Sequence, residues 1–200
     1  MKKPYVELLA CPETPMRLLE NIAGVCYQKK ANESTLKHIL KAGHWSVFEH
    51  CMATFRIYMS ITTLLQITRH RHLSFTVQSS RGSQLKGTYQ TGNEIVDKFN
   101  NKSMLLYSEE VSKGSAPLEI LAYCLPKSAM YEVIVSGNFR AWMEYLPKRL
   151  CMRASKEHRA IAQEIKKILA EKVCPLCFEN VKAPCEVCKE ARCEFTHENN

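Results

Sequence analysis

The chain has 200 residues, 46% of them hydrophobic, and carries 28 Lys and Arg against 20 Asp and Glu for a formal net charge of +8. That apolar fraction is typical of a globular protein and sets aside a disordered chain, while the charge favours anionic partners such as nucleotides, nucleic acid or other polyphosphates. No apolar run approaches bilayer-spanning length and the short N-terminal one contains Glu7, so neither a membrane segment nor an export signal is expected. The ten cysteines then read as free thiols or metal ligands in a reducing cytoplasm.

In chain order, residues 1–10 read as a short strand that Pro12 and Pro15 interrupt. Leu18, Leu19, Ile22, Ala23 and Cys26 follow helical spacing, which predicts an amphipathic helix from Met16 to about Lys29. Asn32-Glu33-Ser34 starts another, with Leu36, Ile39 and Leu40 inward and Gly43 at its end. His44 to His50 places two histidines, Ser46 and Glu49 directly before a strand, as the edge of a site. In that strand Cys51, Ala53, Phe55, Ile57 and Met59 alternate with Thr54, Arg56 and Tyr58, the pattern of a half-buried strand. Ser60 caps a helix bearing Ile61, Leu64, Leu65 and Thr68, on which Gln66 and Arg69 share a face.

That helix leads into Arg69-His70-Arg71-His72 and a loop to Arg81, a stretch with three arginines, two histidines and three serines in thirteen residues. Arginine forks, short hydroxyls and the backbone N–H groups of a tight loop all suit phosphate. Residues 82–117 read mostly as loop, with a helix at Ser103–Val111 and no site. Leu118–Tyr123 is short and apolar, and Tyr131–Ser136 is a strand closed by a turn at Gly137. Asn138 caps a helix with Arg140, Trp142, Tyr145, Leu146 and Arg149, which Pro147 should kink or divide. A last helix covers Lys156–Val173. The organisation expected is one domain over 1–173 and a cysteine-rich tail over 174–200.

With these pieces placed, the chain resembles the flavin-dependent thymidylate synthases. Their signature is Arg-His-Arg, seven residues, then Ser; here it reads Arg69-His70-Arg71 and Ser79, with Arg81 two further on. Gly43 to His50, Leu125-Pro126, the strand to Gly137, Asn138-Phe139-Arg140, and Arg149 followed by Arg153-Ala154-Ser155 and Glu157 are similar to further family blocks. The resemblance implies an α+β fold with a central, mostly antiparallel twisted sheet flanked by helices, and a homotetramer with interfacial active sites. It implies reductive methylation of dUMP to dTMP with FAD as cofactor and with NADPH and methylenetetrahydrofolate as co-substrates. By the same resemblance Ser46, Arg69, His70, Arg71, Asn138 and Arg140 hold FAD. Gln66, Arg69, Ser79, Ser80, Arg81 and Arg149 hold dUMP, with Arg149 as the catalytic group at the uracil and no cysteine nucleophile.

The sequence departs from the family at five positions. Val77 stands where Glu or Gln is usual, Ala122 and Ile61 stand where arginines are expected, Glu144 replaces a His or Asn, and Ser155 replaces Gln. These departures imply a flavin site better kept than the nucleotide site, and leave open another pyrimidine nucleotide as substrate.

The tail offers Cys174, Cys177, Cys185 and Cys188 as two Cys-x-x-Cys pairs, the spacing of a tetrahedral zinc site. A reduced tail without metal is the equal alternative. A zinc knuckle beside the basic stretch would make a nucleic-acid-binding module, but residues 174–200 hold three basic and five acidic side chains, the wrong sign for phosphate.

Overall fold

The computed structural model describes residues 4–188. The strands are β1 (Tyr5–Ala10), β2 (Met52–Ser60), β3 (Ser74–Val77) and β4 (Met130–Asn138), paired in the order β1-β2-β4-β3 as one antiparallel sheet flanked by helices. The helices are α1 (Pro15–Tyr27), α2 (Glu33–Lys41), α3 (Ile61–Ile67), α4 (Glu94–Lys113), α5 (Leu118–Leu121), α6 (Phe139–Leu150), α7 (Lys156–Ile168) and α8 (Pro175–Phe178). The α+β architecture expected from the sequence is present.

Contacts divide the chain into two compact units. The first takes Arg56–Arg71, Phe75–Val135 and the chain up to Glu7; the second takes Leu8–Phe55, His72–Ser74 and the chain from Ser136. In the first, Leu85, Met104, Tyr107, Leu121 and Ala129 form an apolar cluster, and the Tyr107 hydroxyl accepts from the Leu85 N–H at 3.3 Å. In the second, Trp142 stands edge-on to Phe55 (5.2 Å) and to Tyr145 (5.5 Å), and its indole N–H donates to the Ala53 carbonyl at 3.1 Å. Edge-to-face pairs add about 0.5–1.5 kcal/mol each beyond burial.

The alternation read from β2 holds: Cys51, Ala53, Phe55, Ile57 and Met59 are all fully buried. Tyr58, expected outward, is buried too, because its ring stacks on Tyr5 and its hydroxyl donates to the Lys86 carbonyl. Other expectations change. Residues 94–113, read mostly as loop, form the long helix α4, opened by the Asn93 side chain accepting from the Val96 N–H at 3.1 Å. The loop expected before Arg81 contains the short strand β3. Gly137 is no turn but a residue of β4, where a Cβ would overlap Leu73 and meet the Trp142 indole nitrogen at 3.2 Å. Pro147 does not divide α6.

Candidate active site

In the first unit the signature arginines follow the end of α3. Ser60 Oγ caps that helix by accepting from the Thr63 N–H at 3.3 Å, and the N–H groups of Arg69 and His70 close the last turn on the carbonyls of Gln66 and Ile67. His70 and Gln66 are half-buried, whereas Arg69 and Arg71 are exposed and neither has an ion-pair partner among the described residues. Two guanidiniums without carboxylates, flanking an imidazole, are a donor set suited to a pyrophosphate.

The phosphate-type loop is built by Ser79. Its Oγ accepts from the N–H groups of Arg81 (3.2 Å) and Gly82 (3.3 Å), and its carbonyl accepts from the Ser83 N–H (3.0 Å) and hydroxyl (2.9 Å). Short hydroxyls favour such turns because they replace a backbone acceptor. Gln78 ties the loop to β4: its N–H donates to the Glu132 carbonyl at 2.9 Å and its side-chain carbonyl accepts from the Glu132 N–H at 3.3 Å. Arg81 pairs with Glu119 at 3.1 Å, with side chains 73% and 56% exposed, so the pair is worth only about 0–1 kcal/mol and yields readily to a stronger anion. Ser80 is half-buried beside them. Val77 borders a cavity of about 460 Å³ whose polar lining includes Tyr58, Gln84, Lys86 and Glu132.

In the second unit α6 starts where β4 ends. Asn138 Oδ1 caps it by accepting from the Ala141 N–H at 2.8 Å, which leaves its Nδ2 without a partner among the described residues. Arg140 is held by two carboxylates, donating from Nε to Glu144 at 2.9 Å and from Nη1 to Glu49 at 2.5 Å; these hydrogen bonds raise its pKa. Glu49, His72, Asn138, Arg140 and Glu144 border a small cavity of about 230 Å³. Ser46 lies exposed in the 3₁₀ turn Trp45–His50. Arg149 is half-buried near the end of α6. Tyr145, fully buried one turn earlier, meets His158 Nε2 at 3.0 Å through its hydroxyl. Burial pushes that hydroxyl above its ordinary range, and the charge of Arg149 opposes the shift.

The positions that depart from the family have local roles. Glu144 neutralises Arg140, and Ser155 caps α7 by accepting from the His158 N–H at 3.4 Å. Ile61 opens α3, its N–H donating to the Ala129 carbonyl at 3.0 Å, and Ala122 starts the 3₁₀ turn Ala122–Cys124.

The four-cysteine zinc site is not assembled. Among the described residues no three His, Cys, Asp or Glu side chains gather around a common point. Cys174 and Cys177 meet each other at 3.2 Å in the buried interior, and Cys185 and Cys188 do not join them. Arg69, His70, Arg71, Gln66, Ser79, Ser80 and Arg81 thus fall in the first unit, and Ser46, Asn138, Arg140 and Arg149 in the second. The sequence reading did not single out Glu119, Gln84 or Lys86. Glu119 lies 38 positions from its partner Arg81, with no local pattern to mark it.

Comparison with known proteins gives a consistent picture. The family model described as thymidylate synthase complementing protein matches residues 7–176. A flavin-dependent thymidylate synthase of Nitratidesulfovibrio vulgaris is 28% identical over 92% of this chain and 89% of its own length. The Synechocystis protein of the same name is 28% identical over 84% of this chain and 90% of its own. That of Sulfolobus acidocaldarius is 31% identical over 68% of this chain and 58% of its own.

Proposed function

Because the chain belongs to the family of thymidylate synthase complementing proteins, the flavin-dependent thymidylate synthases, we propose that it methylates dUMP reductively to dTMP. In this reading methylenetetrahydrofolate is the carbon donor, NADPH is the reductant and the cytoplasm is the site of action. The observation that carries the reading is the pair of unpartnered guanidiniums, Arg69 and Arg71, on either side of His70 at the end of α3.

FAD, when bound and reduced, supplies the hydride. Arg69, His70 and Arg71 hold its pyrophosphate through charge-assisted hydrogen bonds. Ser46, the free Nδ2 of Asn138 and the remaining N–H groups of Arg140 donate to its other polar atoms. The charge of Arg140 is already balanced by Glu49 and Glu144, so it contributes directional donors more than net charge. Ser79, Ser80 and Arg81 hold the dUMP phosphate, and Gln66 and Arg69 contact the same nucleotide. Arg149 faces the uracil: a guanidinium stays cationic while negative charge develops as N3 loses its proton, which polarises C5 toward attack. No cysteine takes part.

We further propose a homotetramer. Its support is the apolar surface of α4, where Ile95 is 81%, Phe99 71% and Leu106 51% exposed. A second reading, another pyrimidine nucleotide as substrate, is favoured by Val77 on the wall of its cavity and by the short Ala122 side chain. Each lost arginine contact weakens binding by about 1.5–3 kcal/mol.

Spectroscopy of the purified protein tests the reading. It predicts a yellow protein with a flavin absorption band, FAD affinity lowered about 10–150-fold by Arg69→Ala or Arg71→Ala, and tighter binding of dUMP than of other pyrimidine nucleotides. Colourless protein that takes up no FAD, yet binds oligonucleotides with steep salt dependence, would make it a nucleic-acid-binding protein instead.

A further inference from the structure

We propose that Cys174 and Cys177 are a thiol–disulfide exchange site for small disulfides that carry carboxylates, reached through a pocket of about 820 Å³ in the second unit. The two Sγ atoms lie 3.2 Å apart, and a disulfide needs them to close to about 2.0 Å. Cys174 is fully buried and touches the Met16 sulfur at 3.7 Å. Cys177 is 5% exposed and lies on the pocket wall, beside Trp45. One thiol of the pair is therefore presented to a ligand and the other is held behind it.

The pocket also carries charge. Lys37 is taken by Glu33 at 2.7 Å, but Lys41 and Lys182 have no ion-pair partner among the described residues. Two free ammonium groups against Glu179 leave the wall cationic, which suits a disulfide with carboxylates. Cys174 Sγ donates to Cys177 Sγ, so the two sulfurs already share a hydrogen bond.

The exchange balances. Both thiols start protonated; Cys177 gives up its proton to water, which frees its thiolate. Its sulfur attacks the incoming disulfide, forming a mixed disulfide and expelling one thiolate. Cys174 sulfur then attacks Cys177, giving the internal disulfide and expelling the second half, and the Cys174 proton leaves on one of the two departing sulfurs. The protein pair is oxidised by two electrons and the small disulfide is reduced to one thiol and one thiolate.

The full-length protein is treated with oxidised glutathione, quenched with an alkylating agent and mapped by peptide mass, with cationic cystamine as the parallel probe. The expected result is an internal Cys174–Cys177 disulfide in the wild type and a single glutathione adduct on Cys177 in Cys174→Ser. Lys41→Glu/Lys182→Glu should slow the reaction of oxidised glutathione about tenfold while leaving that of cystamine unslowed. The proposal is overturned if Cys174 and Cys177 stay alkylatable while exposed Cys26 and Cys124 react. It is overturned equally if the charge reversals slow both probes alike, or if tightly bound zinc protects Cys174, Cys177, Cys185 and Cys188. The mapping of the wild type stands even should a variant fail to fold.

Discussion

Gly137→Ala is the sharpest probe of how β4 sets up the second group of site residues. Gly137 does not adopt a left-handed conformation, so the glycine is there for space. An added methyl would overlap Leu73 and stand 3.2 Å from the Trp142 indole nitrogen. Trp142 cannot retreat, because it is fully buried against Phe55 and Tyr145 and hydrogen-bonded to Ala53. Leu73, 6% exposed, must move instead, and only the tip of its side chain clashes. The cost is therefore about 1–2 kcal/mol, the lower half of the usual overpacking range. For a chain of this size that lowers Tm by about 2–8 °C. Leu73→Ala alone should cost about 2–5 kcal/mol through the cavity it leaves. The double variant should be more stable than the sum of the singles by about 0.5–3 kcal/mol, since the new methyl occupies that cavity. Thermal unfolding of the four proteins reads the cycle. Gly137→Ala melting with the wild type, or a strictly additive cycle, would refute the packing argument.

Arg81→Ala should weaken dUMP binding in isothermal titration by about 10–150-fold, whereas Glu119→Gln, which only frees Arg81, should leave affinity equal or improved and stability within about 1 kcal/mol. Stability should fall as pH rises from about 9 through 11. Burial lifts the Cys51 thiol from 9.0 to about 11 and lifts the Tyr145 hydroxyl above 10.0, so the unfolded chain loses those protons first. Cys51→Ala should flatten the early part of that fall in denaturant titrations across the range. Ile95→Glu/Phe99→Glu should dissociate the oligomer in light scattering while leaving the far-ultraviolet circular dichroism unchanged.

What the sequence made legible was local. The alternation from Cys51 to Met59 names a buried face without ambiguity, and Ser60 and Asn138 are capping residues just where helices begin. The signature arginines, expected on the last turn of α3 with Arg69 on the face of Gln66, instead follow it, because α3 ends at Ile67. The other misses are long-range. α4 hides because its buried residues, Asn100, Met104 and Tyr107, include a polar one, while Ile95 and Phe99 sit outside, so its apolar periodicity is blurred. Gly137 reads as a turn until Leu73 and Trp142, distant or off-face in the sequence, are seen to crowd it. The two Cys-x-x-Cys pairs share a metal-like spacing, yet one pair is drawn inside beside Met16, where packing decides its neighbours.

Release of tritium from 5-labelled dUMP, in the presence of FAD, NADPH and methylenetetrahydrofolate, tests the central claim most directly. The account predicts steady release that depends on every component and is abolished in Arg149→Ala, whose fold and flavin content remain. Failure of the wild type to release tritium while it binds both FAD and dUMP, or undiminished release by Arg149→Ala, would contradict it.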